Sequence, residues 1–174
     1  MIAFSRARLA TISDTRTMKN RSYQFGKSRL TIEFGDITSS DAQVMVSSDD
    51  YYITMGGGVS ASILRAGGQE IMIDASKKVP AKLGEVIVTT AGRLQAQYIF
   101  HAITIEQHAD RGGSAKDIVR NSVSRCFDLL DALGLDSIAF PAIGAGCREV
   151  FLRGCGCRDG GCRRRKAGAN RPTN

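Results

Sequence analysis

The chain is defined first by what it lacks. No apolar run approaches the roughly 18 residues that a membrane-spanning helix needs, and the N-terminus has no secretory hydrophobic region. Residues at the start are rich in Arg, Ser and Thr, in the manner of an organelle transit peptide, but no hydrophobic face repeats there. The cysteines number five, an odd count, and three of them (Cys155, Cys157 and Cys162) crowd one short stretch. That pattern argues against a disulfide scaffold and for free thiols in a reducing, cytoplasmic setting. Cys-x-Cys-x4-Cys also lacks the paired spacing of a structural zinc site, so no metal and no cofactor is expected. Gly26-Lys27-Ser28 resembles the end of a phosphate-binding loop, but Arg21 stands where that motif needs its first glycine.

Excess positive charge is missing from the middle of the chain. The net charge of +7 comes from the ends: residues 1–29 and residues 151–174 each hold seven Lys and Arg against one acid. Residues 30–150 hold ten basic and fifteen acidic side chains. This divides the chain into a basic N-terminal extension (1–29), a central domain (30–150) and a basic Gly/Cys/Arg-rich tail (151–174). Nucleic-acid binding needs a basic face on the folded part, so the tails support only nonspecific contact. A central domain that binds an anion must use backbone N–H groups.

Such a device is present. Met55-Gly56-Gly57-Gly58 runs into a helical pattern with Val59, Ile63 and Ala66 on one stripe, closed by Gly67-Gly68. Glycines without a Cβ let a ligand approach the backbone. The helix N-terminus then offers free N–H groups and the positive end of its dipole, a combination that suits phosphate.

In chain order, residues 1–27 show no convincing period, and Met18 is an alternative start. Residues 30–34 alternate as a strand, Gly35-Asp36 is a turn, and Val44-Met45-Val46 reads as a buried strand followed by the polar Ser47-Ser48-Asp49-Asp50. Residues 69–78 read as a helix with Ile71, Met72 and Ala75 inward, ending at Pro80. Residues 85–90 and 98–103 read as strands. Ser114 and Asp117 form a capping box for a helix whose core-facing stripe is Ile118, Ser122, Cys126, Leu129, Leu130 and Leu133, capped by Gly134. Residues 137–141 form the last strand, and a second glycine turn, Ile143-Gly144-Ala145-Gly146, follows it. Strands and helices mixed in this way imply a layered α/β fold with its ligand crevice beyond the strand ends.

Five ordered blocks carry a family resemblance: Gly35-Asp36-Ile37-Thr38; Gly56-Gly57-Gly58 through Ala66-Gly67; Gly84-Glu85-Val86 leading to Thr90-Ala91-Gly92; Tyr98 to His101; and Phe140-Pro141-Ala142-Ile143-Gly144-Ala145-Gly146. Over about residues 30–150 the chain resembles a macro domain, the family that binds ADP-ribose. The resemblance implies a three-layer α/β/α sandwich around a central mixed sheet, and a partner that is ADP-ribose or an ADP-ribosylated macromolecule. It places Asp36 on the adenine amino group and Ile37 along the adenine slot. Gly56, Gly57, Gly58, Val59 and Ser60 would hold the diphosphate from one side, and Ile143, Gly144, Ala145, Gly146 and Cys147 from the other.

Three departures qualify the activity that the resemblance implies. Asp50 stands where hydrolytic members carry the Asn of the distal ribose, and Ser60 stands where many carry an Asp. A hydroxyl is a poor general base beside a carboxylate. Asp50 is therefore the candidate catalytic residue of an ADP-ribosyl hydrolase or O-acetyl-ADP-ribose deacetylase, its bland alternative being a loop Asp that caps its own turn. His101 reads as a satisfied core histidine, His108 as a solvated one, and Cys147 as a small loop residue. The third departure is the end of the chain. Residues 154–165 cannot form the apolar stripe of the family's last helix. A frame-shifted or truncated end is the expectation, with a bare sheet face as its consequence. A defective fold with a nucleic-acid-binding tail is the rival reading.

Overall fold

The computed structural model describes residues 1–6, 20–105 and 115–144. Among the described residues of Met1–Ile143, one compact unit, seven strands form a single mixed sheet. They are β1 (Ile2–Arg6), β2 (Arg21–Phe25), β3 (Ser28–Ile32), β4 (Val44–Asp50), β5 (Val86–Thr90), β6 (Tyr98–Ile105) and β7 (Ser137–Phe140), in the order β2-β3-β1-β7-β4-β6-β5. Strand β4 runs parallel to β6 and β7, and the outer pairings are antiparallel.

Among the described residues, three α-helices cover the sheet. Alternation along β4 shows why two faces are buried. Met45 joins a core with Ile63 of α1 (Gly58–Gly67) and with Ile71 and Ala75 of α2 (Glu70–Ala75). Val44 and Val46 join a second core with Cys126 and Leu130 of α3 (Ala115–Ala132). A period of two sends successive side chains to opposite faces, so β4 is apolar throughout its first half and the fold is an α/β/α sandwich.

The N-terminal segment departs from its reading as an aperiodic extension. Strand β1 lies inside the sheet, between β3 and β7, and β2 closes a hairpin with β3. All five β2 residues are exposed, so no alternation marks the strand. Gly26 (φ 57°) takes the first turn position of that hairpin, a place only glycine fills without strain. Tyr23, Phe25 and Ile32 of the hairpin, and Phe34 just beyond it, stay exposed.

Two helical stripes also shift. The buried residues of α1 are Ser60, Ile63 and Gly67, whereas Val59 and Ala66 are exposed. The inward residue at the start of the helix is polar, so apolar spacing misplaced the stripe by one. In α3, Ser122, Cys126 and Leu130 are buried and Ile118 and Leu129 half-buried, but Leu133 is exposed. Leu133 sits where the helix has already turned away. The Leu135 N–H bonds the Leu130 carbonyl at 3.0 Å around left-handed Gly134 (φ 66°), and it is Leu135 that enters the core.

Candidate functional site

Strand β4 carries the first part of the site. Its pairing with β6 slips at its end, where Asp49 faces Ile103 but Asp50 faces Ile105. A bulge of this kind bends a strand and re-aims the next side chain. Asp49, 2% exposed, points to the α1/α2 face. Its Oδ2 lies 2.8 Å from Nδ1 of His101, whose Nε2 lies 2.8 Å from the Thr89 hydroxyl. His101 is wholly buried with both ring nitrogens engaged, the core histidine expected from its place in a strand. A buried polar chain of this kind is stable because every member is satisfied.

Asp50 does something different. Its Oδ1 accepts the N–H of Tyr52 at 2.9 Å and the N–H of Thr54 at 3.3 Å, and its Oδ2 accepts the Thr54 hydroxyl. It therefore caps its own turn. The turn includes two left-handed residues that are not glycine, Ile53 (φ 51°) and Met55 (φ 49°), both buried. A β-branched residue at positive φ is strained, and the Asp50 carboxylate together with the Ile53 N–H to Asp50 carbonyl bond (3.0 Å) holds it there.

Directly after this turn comes the glycine loop. Gly56, Gly57 and Gly58 are exposed, and a Cβ added at Gly57 or Gly58 would meet nothing within 4 Å. Gly58 is left-handed (φ 57°), and Gly57, the N-cap of α1, offers no side-chain cap. The leading N–H groups of α1 are thus open to an incoming acceptor. Val59 is 37% exposed beside them. Ser60 turns inward: its Oγ lies 3.0 Å from that of Ser47 and donates to the Ser48 carbonyl at 2.9 Å. At 5% exposure it lies beneath the loop rather than on it.

Asp36 is the N-cap of a short 3-10 turn, Ile37–Ser39, that packs against α1. It is exposed, and its Oδ1 accepts the Thr38 N–H at 2.9 Å. That bond holds the carboxyl below the usual carboxylate range. Ile37 is buried with Met45 and Ile63 in the α1/α2 core, so its side chain supports the turn from below.

Because β7 and β4 run parallel, residues 141–143 leave the sheet at the same end as residues 51–55. Ile143 is half-buried against the α3-side core, and Gly144 is left-handed (φ 80°). Ala145, Gly146 and Cys147, with His108, Ser114 and the Cys/Arg-rich tail, lie outside the described residues. Among the described residues, no three His, Cys, Asp or Glu side chains are grouped to hold a metal ion, and no helix is long and apolar enough to cross a membrane.

Sequence reading offered the Asp50 turn cap as an alternative without naming Thr54 as its partner, and it missed the Ser47–Ser60 bond. Period-two alternation carried past Val46 was the available signal, since it sends Ser47 and Asp49 to the α1/α2 face with Met45.

Comparisons with known proteins agree with this architecture. The sequence profile described as "Macro domain" matches residues 46–153. An uncharacterized protein of Sulfolobus acidocaldarius is 38% identical over 119 residues, 66% of this chain and 64% of the relative. One from Aquifex aeolicus is 37% identical over 116 residues, 67% of this chain and 69% of the relative. The chain thus spans about two thirds of the length of the curated relatives it matches. Among solved structures, the Oceanobacillus iheyensis macrodomain with ADP aligns with a TM-score of 0.67 at 26% identity, covering 75% of this chain and 72% of that one. A point mutant of the same macrodomain with ADPR aligns with a TM-score of 0.66 at 25% identity, covering 74% and 72%.

Proposed function

We propose that this chain, which belongs to the macro domain family, binds ADP-ribose, free or linked to a protein. One observation carries the reading: the glycine loop is open and the N-terminus of α1 is uncapped, in a fold that aligns with a macrodomain bound to ADP. Backbone N–H groups at Gly57, Gly58 and Val59 would hold the diphosphate. No Lys or Arg is needed, which suits a domain with more acids than bases. Asp36 fits the adenine amino group: its exposed carboxylate, held low by hydrogen bonds from Thr38, would accept from the ligand as an ionised, strong acceptor.

Binding without turnover is the better-supported form of this reading. The Asp50 carboxylate is committed to three donors of its own turn, and Ser60 is buried and hydrogen-bonded. Neither is placed as a free base. The hydrolase reading needs Asp50 to release a donor and take up a water.

Titration calorimetry of the full chain with ADP-ribose tests the proposal. Saturable heat is expected, and Asp36→Ala should weaken it by about 1–3 kcal/mol. Folded protein that gives no heat rejects the reading, and an unchanged affinity in Asp36→Ala rejects the adenine assignment. Turnover of an ADP-ribosylated substrate by the wild-type chain would establish the hydrolase instead.

A further inference from the structure

A second feature lies along α1, away from the glycine loop. A cavity of about 390 Å³ is walled on one side by Leu64, Arg65 and Gly68 of the helix and its cap, and on the other by Met55, Gln69 and Arg93. Leu64, Arg65 and Gly68 continue from Ala61 at helical spacing, so they form one flank next to the buried stripe. Both walls are fixed. The Arg93 N–H donates to the Gly67 carbonyl at 2.9 Å. Gly92 approaches Gly67 so closely that an added Cβ would sit 2.2 Å from the same carbonyl.

The chemistry of the cavity is mixed. Met55 and Leu64 belong to or pack on the α1/α2 core and supply an apolar floor. Arg65 and Arg93 are exposed, and among the described residues neither is ion-paired. The Arg93 guanidinium and the Glu70 carboxylate flank Gly68, reaching within 2.5 Å and 2.6 Å of where its Cβ would be. Arg65 also complements the negative end of α1. Two guanidinium groups line the cavity and no carboxylate does, so the groove is positive in a region otherwise rich in acids.

Its position matters as much as its charge. Met55 is both a wall of the cavity and the residue before Gly56, so the groove begins where the proposed diphosphate loop begins. We infer that this groove receives the polypeptide flank of an ADP-ribosylated acceptor, with acidic side chains against Arg65 and Arg93 and an apolar one over Met55 and Leu64. The inference rests on the ADP-ribose reading and names the partner class of that site. Gln69 adds an amide suited to peptide backbone. Charge complementarity of this sort selects among partners more than it adds affinity.

The test compares four probes on the full-length chain by calorimetry: free ADP-ribose, an ADP-ribose dimer, and two peptides joined to one ADP-ribose through the same stable linkage. One peptide carries Asp and Glu around the linkage, the other Asn and Gln. The acidic peptide is expected to bind roughly fivefold tighter than free ADP-ribose, with an advantage that shrinks as salt rises. The neutral peptide should match free ADP-ribose. Arg65→Ala with Arg93→Ala should abolish the acidic peptide's advantage and leave the affinity for free ADP-ribose unchanged. Equal binding of the two peptides, an advantage that survives the double substitution, or a gain for the dimer alone overturns the groove assignment while the ADP-ribose site stands. No binding of free ADP-ribose overturns the parent reading, and the groove assignment with it.

Discussion

Ser60 and Ser47 share a hydrogen bond of 3.0 Å beneath the N-terminus of α1, so the helix is tied to the sheet by hydroxyls where family resemblance led one to look for an Asp. The Ser60 Oγ also donates to the Ser48 carbonyl. A carboxylate at this position would face that carbonyl with no proton to give. Ser60→Asp is therefore expected to cost about 3 kcal/mol of stability, and Ser60→Ala about 1–2 kcal/mol, both read by urea unfolding. Neither should gain turnover of an ADP-ribosylated substrate. An aspartate accommodated at wild-type stability would show that position 60 reaches solvent.

Two glycines near α1 have opposite roles, and alanine separates them. At Gly92 (φ 58°) a Cβ would lie 2.2 Å from the Gly67 carbonyl oxygen, a backbone atom that cannot swing aside. Crowding and positive φ together predict a loss of about 3 kcal/mol for Gly92→Ala. At Gly57 the backbone is extended (φ −165°) with nothing within 4 Å, so Gly57→Ala should change stability by less than about 0.5 kcal/mol. Its methyl would instead occupy the approach to the α1 amides, and ADP-ribose affinity should fall. Thermal unfolding and calorimetry on the same two variants check both halves.

Cys126 provides a pH signature. The thiol is fully buried under α3, and burial pushes it up to about 12. In the unfolded chain a cysteine titrates near 8.5. Between these values the folded state keeps a proton that the unfolded state has released. Stability is therefore undiminished by this group below about 8.5 and falls as pH rises from there toward about 12. Cys126→Ala should flatten the alkaline decline measured between about pH 8.5 and 10.5. In the native protein at neutral pH, iodoacetamide should spare the Cys126 peptide, with alkylation appearing only on unfolding.

The parts of this fold legible from sequence are those whose signal is local. The glycine loop feeding α1, the β-branched run of β5 and the stripe of α3 are all written within a few residues. Strand β1 was not legible, because its partners lie at residues 28–32 and 137–140 and five residues carry no period of their own. Strand β2 is exposed along its whole length, so it has no buried face to announce it. Ser60 misled because a buried hydroxyl is indistinguishable from a solvated one until its acceptor is known. The polar run ending in Asp49-Asp50 looked like loop, yet it continues β4: Asp49 is buried against a histidine 52 positions away, and only that partner makes an acid in a core strand tolerable.

Asp50 caps its own turn, one of its two sequence readings, and its substitution separates two mechanisms. Left-handed Ile53 and Met55 each cost on the order of 1 kcal/mol, and the Asp50 carboxylate offsets this by accepting from Tyr52, Thr54 and the Thr54 hydroxyl. The glycine loop takes its direction from that turn. Asp50→Ala is expected to lower stability by about 2–3 kcal/mol and to weaken ADP-ribose binding in step, because the loop loses its anchor. Asp50→Asn keeps one acceptor oxygen for the backbone donors and should recover most of both. Thr54→Val removes the hydroxyl alone and should cost about 1 kcal/mol with a smaller loss of affinity. A catalytic Asp50 gives the opposite pattern: in Asp50→Ala binding would survive at wild-type strength while turnover disappeared, and Thr54→Val would leave affinity untouched. Measuring affinity and stability across the three variants therefore decides whether this carboxylate shapes the phosphate loop or acts on the ligand.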